Sequence, residues 1–104
     1  MSAWQPEIDG IRYRVAGAFS SVFVPGRGAV GLPLRSASSG GPVRVEVRLD
    51  GRLADVVQVP SDRWITIKIL MPEVPDAPRF RRVDLSMARG RDPEALLVGK
   101  VVEY

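Results

Sequence analysis

The stretch Val43-Arg44-Val45-Glu46-Val47-Arg48-Leu49-Asp50-Gly51 constrains this chain more than any other. Val43, Val45, Val47 and Leu49 alternate with Arg44, Glu46 and Arg48. An extended strand sorts such a set onto two opposite faces, because its side chains alternate with period two. A helix would scatter the same valines around its circumference. Asp50-Gly51 tolerates positive φ at both central positions of a type I′ turn, whose twist matches that of paired strands. Arg52 to Val59 therefore folds back as the second strand of a hairpin. A hairpin with one apolar face needs another layer to cover it.

The rest of the chain keeps this grammar. Ten glycines and nine prolines punctuate it at intervals that suit strands and leave no room for long helices. Trp64 to Ile69 puts three isoleucines on one face and Thr66 and Lys68 on the other. Pro72, Pro75 and Pro78 then make a rigid extended loop. Phe80 to Ala88 alternates Val83, Leu85 and Met87 with Arg82, Asp84 and Ser86. Phe80 is out of phase with that set, which predicts a bulge or twist near Arg81.

Shorter strands are expected at Tyr13 to Ala16, Phe19 to Val24 and Val30 to Leu34, with breaks at Gly17, Pro25-Gly26 and Pro33. Ser36 to Gly41 reads as a surface loop. Asp92-Pro93-Glu94 resembles a helix start of two turns at most, and Leu97 to Val102 a last strand interrupted at Gly99. Seven or eight short strands with such turns predict an all-β fold: an antiparallel β-sandwich of jelly-roll or galactose-binding-like type, with a small closed barrel as the competitor. Its core should hold Val43, Val45, Val47, Ile65, Ile67, Ile69, Val83 and Leu85.

At 104 residues the chain is the size of one domain, 1–104, and can bury roughly two-thirds of its unfolded surface. It contains no cysteine and no histidine. Disulfide scaffolds, thiolate zinc sites and Ser-His or Cys-His catalysis are excluded together. The remaining acid–base option is a carboxylate pair, but the Asp and Glu residues fall on expected turns and outward strand positions. Gly26-Arg27-Gly28 lacks the Lys-Ser/Thr pair and the helix of a phosphate cradle. No enzyme activity is expected. Asp50 with Asp55, or Asp92 with Glu94, offers oxygen ligands to calcium, but no EF-hand pattern is present and the turn explains Asp50. No metal or cofactor is expected.

The net charge of +3 invites a nucleic-acid reading. The arrangement does not favour it, since Arg44 and Arg48 flank Glu46, Arg63 follows Asp62 and Arg82 precedes Asp84 by two. Only Arg79, Arg81 and Arg82, or Arg89 and Arg91, cluster. The start has neither a basic nor an apolar signal-like region, and the longest aliphatic run, Ile69-Leu70-Met71, is far too short for a membrane span. The segment is expected to be soluble as it stands, without membrane insertion, and extracytoplasmic if it belongs to a larger membrane or secreted protein.

Aromatic residues are few. Phe19, Phe23 and Phe80 are expected in the core or at a sheet edge. Trp4, Tyr13 and Trp64 are the rings available to stack on the C–H face of a ligand. Asp62-Arg63-Trp64 brings a carboxylate, a guanidinium and a ring to the point where loop becomes strand, and Arg12 accompanies Tyr13. Trp64, Arg63, Asp62, Tyr13 and Arg12 are the candidate ligand-binding residues. The competing role for them is structural: Trp64 would seal a sheet corner while Asp62 and Arg63 cap the turn.

The ordered set of motifs carries a family likeness. Trp4-x-x-Glu7 is followed by Gly10-x-Arg12-Tyr13, then Val45-x-Val47-x-Leu49-Asp50-Gly51, Trp64, Phe80-x-x-Val83-Asp84-Leu85 and Leu96-Leu97-Val98-Gly99-Lys100-Val101. This resembles the carbohydrate-binding-module-like, galactose-binding-like β-sandwich domains appended to bacterial glycosyltransferases and polytopic membrane proteins. The resemblance implies a non-catalytic accessory domain whose partner is a glycan, or the protein that carries the domain. Members have an Asp-x-Arg-x-Leu-Gly stretch where this chain has Asp92-Pro93-Glu94-Ala95-Leu96-Leu97, without that arginine or that glycine. The alternative role is a structural interaction or oligomerisation domain working through a sheet edge.

Overall fold

The computed structural model describes residues 3–17, 19–37, 42–87 and 96–104. Ten strands are formed: β1 Gln5–Ile8, β2 Ile11–Ala16, β3 Phe19–Pro25, β4 Ala29–Ser36, β5 Val43–Leu49, β6 Arg52–Val59, β7 Ile65–Leu70, β8 Phe80–Met87, β9 Leu96–Gly99 and β10 Val102–Glu103. They make two antiparallel sheets facing each other, and the described residues include no helix. The first sheet runs β1-β2-β9-β4, with β10 continuing the path of β9 along β4 and β7 on the far side of β4. The second runs β3-β8-β5-β6. The fold is a sandwich and not a closed barrel.

The expected hairpin is present. Asp50 and Gly51 have φ of 50° and 85°, the pair of positive values a type I′ turn requires. Seven of the eight expected core residues are buried between the sheets, and Ile65 packs against them half-buried. Ala16, Val24, Val30, Leu32, Leu34, Val59, Met71, Met87, Leu96 and Val98 complete the filling.

Several expectations are corrected. β8 pairs β3 without a register shift from Phe19↔Ser86 to Pro25↔Phe80, so there is no bulge at Arg81. Phe80 is out of phase because it points outward with Arg82, Asp84 and Ser86. Phe19, Phe23 and Phe80 are not in the core: they are 65%, 70% and 59% exposed on the outer face of the second sheet, with Phe19 and Phe23 on its edge strand β3, the sheet-edge alternative. The irregularities lie elsewhere, and one falls between Val47 and Arg48 against β6.

A second shift falls between Gln5 and Ile8 of β1 against β2, and a third irregularity is at the end of the chain. Leu34 pairs Val98 and Gly31 pairs Val102, three residues on β4 against four on the last strand. The extra residue is a bulge at Lys100-Val101, one step beyond the expected break at Gly99. It lies across from Leu32, while Gly99 faces Pro33, which has no N–H to donate. β4 thus passes through Pro33 in mid-sheet, where the sequence suggested a break. Ser36, read as loop, ends β4 buried, and its N–H donates to the carbonyl of Pro60 at 2.8 Å.

β1 was not expected. It joins β2 through Asp9-Gly10, with φ of 51° and 81°, the same turn chemistry as Asp50-Gly51. Asp92-Pro93-Glu94 and most of the Ser36 to Gly41 segment lie outside the described residues.

Candidate functional site

β2 sets up the candidate sites because its faces are the reverse of what its residues suggest. Arg14 pairs Val98 and Ala16 pairs Leu96. Ala16, Leu96 and Val98 belong to the inter-sheet core, whereas buried Leu97 does not. Partners in register share a face, so Arg14 and Arg12 leave β2 on the inter-sheet side, and Ile11, Tyr13 and Val15 leave it on the outer side.

On that outer side Tyr13 meets Trp64, with ring centroids 6.3 Å apart and planes tilted by 50°. Trp64 precedes β7 on the face opposite its isoleucines, as its position in the alternation predicts. Its Nε1–H donates to the carbonyl of Ile8 at 2.9 Å, which fixes the indole plane and ties β1 to the β6–β7 corner. Arg35 reinforces the corner by pairing with Asp9 and donating through Nε to the carbonyl of Ser61 at 3.2 Å. Next to Trp64, Asp62 and Arg63 are exposed and paired with each other at 3.2 Å.

Four of the five candidate residues therefore cluster as two adjacent pairs, Tyr13 with Trp64 and Asp62 with Arg63. Arg12 does not join them, because it is exposed on the other side of β2.

A second feature lies where β2 and the last strand face β3. A cleft of about 440 Å³ is lined by Trp4, Arg14, Ser21, Val22, Phe23 and Val98 to Val101. The guanidinium carbon of Arg14 stands 4.3 Å from the centroid of the Trp4 ring. Its Nε is buried and has no hydrogen-bond partner. Trp4 was among the rings considered from sequence, but Arg14 was missed. Two arginines alternating with Ile11, Tyr13 and Val15 read as the solvated face of a strand, and no local signal marks them otherwise.

The basic cluster expected from sequence is taken up internally. Arg81 pairs with Asp50 at 2.9 Å and donates to the Gly26 carbonyl at 3.2 Å. Arg82 pairs with Asp84 at 3.0 Å, and Ser21 donates to the same carboxylate oxygen at 2.6 Å. Arg79 lies over the Phe80 ring at 5.9 Å. Among the described residues no group of three acidic side chains is gathered to hold a metal, and no helix is long and apolar enough to cross a membrane.

No family model matches the sequence, and no curated protein matches it. Solved structures do resemble the fold. A family 35 carbohydrate binding module from an environmental isolate superposes with a TM-score of 0.57 at 11% identity, covering 97% of this chain and 82% of that one. A glycoside hydrolase family 43 arabinoxylan arabinofuranohydrolase from Bacillus subtilis gives 0.50 at 16% identity, covering 94% of this chain and 22% of the enzyme. A family GH115 4-O-methyl-α-glucuronidase with specificity for decorated arabinogalactans gives 0.53 at 15% identity, with 89% and 14% covered. The likeness is one of fold. The chain spans nearly a whole binding module but only about a fifth or less of either enzyme.

Proposed function

We propose that this chain is a non-catalytic glycan-binding accessory module of glycan-processing machinery, and that it presents its ligand surface at the Tyr13–Trp64 corner. The observation that carries the reading is the tethered aromatic pair beside exposed hydrogen-bonding groups. The Ile8 carbonyl holds the Trp64 plane before any ligand arrives, so little ordering is left for binding. Sugars present C–H patches that suit aromatic rings and hydroxyl pairs that suit a guanidinium and a carboxylate. Arg63 and Asp62 supply those groups one and two residues from Trp64. The sandwich shared with a carbohydrate binding module, and with parts of two glycoside hydrolases, supports the same reading. Attachment to a glycosyltransferase, which the motif resemblance suggests, is one version of it.

Titration calorimetry against a panel of neutral mono- and oligosaccharides tests the proposal. Tyr13→Ala and Arg63→Ala should each weaken binding about tenfold, the scale of a lost ring contact or charged hydrogen bond, without lowering the melting temperature appreciably. Absence of binding across the panel, or binding indifferent to both substitutions, overturns the site.

A second reading rests on the outer face of the second sheet, where Phe19 and Phe23 stand exposed on the edge strand β3 beside Phe80. Such a face suits association with a protein, the interaction-domain alternative. Light scattering after size exclusion, compared between the wild type and Phe23→Ser, separates the readings. A dimer lost in the variant favours the second.

A further inference from the structure

The cleft between β2 and β3 contains a cation placed where a sandwich normally places a hydrocarbon. Arg14 shares its face of β2 with Ala16, and its strand partner Val98 is 2% exposed. Its Nε donor is buried and makes no hydrogen bond. A buried donor without a partner is costly, and native structures retain few of them without a reason. We propose that this cleft is a binding site for an organic carboxylate. Arg14 and Lys100 receive the anion, and Trp4, Val22 and Val101 hold the apolar side of the ligand.

The geometry fits a planar anion. Trp4 covers the guanidinium at 4.3 Å and uses up its face, so the hydrogen-bonding capacity that remains lies in its plane. A guanidinium edge presents its N–H groups as a fork matched to the two oxygens of a carboxylate. Among the described residues no Asp or Glu lines the cleft to compete for it. Ser21, at the opposite wall, has already committed its hydroxyl proton to Asp84.

The second cation is placed by the irregularity in the last strand. The bulge at Lys100-Val101 turns that stretch of the last strand out of the ladder, and both residues line the cleft. Bulges commonly re-aim side chains beside binding sites. The volume of about 440 Å³ lies within the range of small-molecule pockets, and Val22, Val98 and Val101 make much of the wall apolar. The site stands apart from the Tyr13–Trp64 corner, so each can fail without the other.

The chain has two tryptophans, one at each site, so their indole N–H signals in proton–nitrogen correlation spectra report on the two separately. Trp4→Phe assigns them. Benzoate and cyclohexanecarboxylate should shift the Trp4 signal and leave that of Trp64 in place. Benzyl alcohol and cyclohexylmethanol, similar in shape but neutral, should not shift it. Arg14→Gln should weaken carboxylate binding about tenfold or more, the scale of a lost charged hydrogen bond. Lys100→Gln should weaken it less and flatten its salt dependence.

Glucuronate set against glucose shows whether the carboxylate can arrive on a sugar. A response to glucuronate, to the simple carboxylates or to both supports the proposal and distinguishes the source. Should Arg14→Gln fail to fold, the neutral analogues and Lys100→Gln still decide the matter. The proposal is overturned if no carboxylate shifts Trp4, if the neutral analogues shift it equally, or if binding is indifferent to both substitutions. It is also overturned if inorganic sulfate binds as well as the ring carboxylates, since the apolar walls would then contribute nothing.

Discussion

The β5–β6 and β1–β2 hairpins turn on the same dipeptide and end in opposite arrangements. Asp50-Gly51 and Asp9-Gly10 both adopt positive φ at both residues, so the local chemistry of the two turns is equivalent. In β5 the alternation is obeyed, with valines buried and Arg44 exposed. In β2 the apolar residues Ile11, Tyr13 and Val15 face outward, and Arg12 and Arg14 face the space between the sheets. Alternation therefore fixes the period of a strand but not which face is buried. The neighbours decide that. β5 lies between β6 and β8 in mid-sheet, where Val45 and Val47 have core on one side only. β2 lies near the rim, and Ala16 against Leu96 sets its phase. There a one-residue slip would turn every side chain to the other face.

The largest effect expected from this contrast comes from Val45→Asp. Val45 is fully buried in the ordered hairpin, and the substitution buries an unpaired carboxylate among aliphatic side chains. A loss of about 4 kcal/mol follows, enough to unfold most domains of this size. Chemical denaturation followed by tryptophan fluorescence measures it. A loss below about 1 kcal/mol would mean that β5 is not the core strand described here.

The turns themselves come next. Gly51→Ala and Gly10→Ala both force a side chain into the left-handed region, a local strain of about 1–2 kcal/mol each. At Gly51 the strain falls on a hairpin whose strands run through the core, so global stability should drop by that amount. At Gly10 it falls on β1, a four-residue edge strand. Hydrogen exchange there should show faster local opening of Gln5–Ile8 with a smaller change in the global transition. Equal global losses would show that β1 is as integral as β6.

These contrasts explain what could be read from the residues. β5, β7 and β8 carry clear apolar alternation between unambiguous turns, and the share of the core they supply follows from it, whereas β6 was legible only as the return strand of the Asp50-Gly51 turn. β1 was missed although Asp9-Gly10 marks its turn, because Gln5-Pro6-Glu7-Ile8 has no apolar alternation and its proline suits only an edge. The phase of Phe80 was read as a bulge because an exposed phenylalanine is the less expected placement. Of the candidate site, Trp64 and its outward face were legible from parity, and its contact with Tyr13 was not. That contact depends on the β2 face, which only the pairing with β9 sets. The same ignorance hid Arg14.

Trp64→Phe probes the tie between the two regions. It removes the hydrogen bond to the Ile8 carbonyl while keeping a ring, and should lower stability by about 1 kcal/mol. The loss should appear as increased exchange in β1 and not in β5. An increase confined to the second sheet would contradict the corner described for Trp64.

The smallest effect is the most informative, because its sign is unusual. Arg14→Leu gives β2 the residue its inner face would ordinarily carry. The substitution forfeits the stacking on Trp4, about 0.5–1 kcal/mol for a contact of this kind. It also removes a buried donor without a partner, a group that costs about 1–3 kcal/mol. The second term is the larger, and leucine recovers much of the packing of the arginine stem. A net gain of about 0.5 kcal/mol is expected, as when buried ionic groups elsewhere are replaced by hydrocarbon. The measurement is the denaturation midpoint at unchanged slope, taken together with a carboxylate titration. Gained stability with lost binding would identify the inverted face of β2 as a cost carried for the site. A loss of stability would instead make Arg14 a packing residue, and the inversion would then be a consequence of register alone.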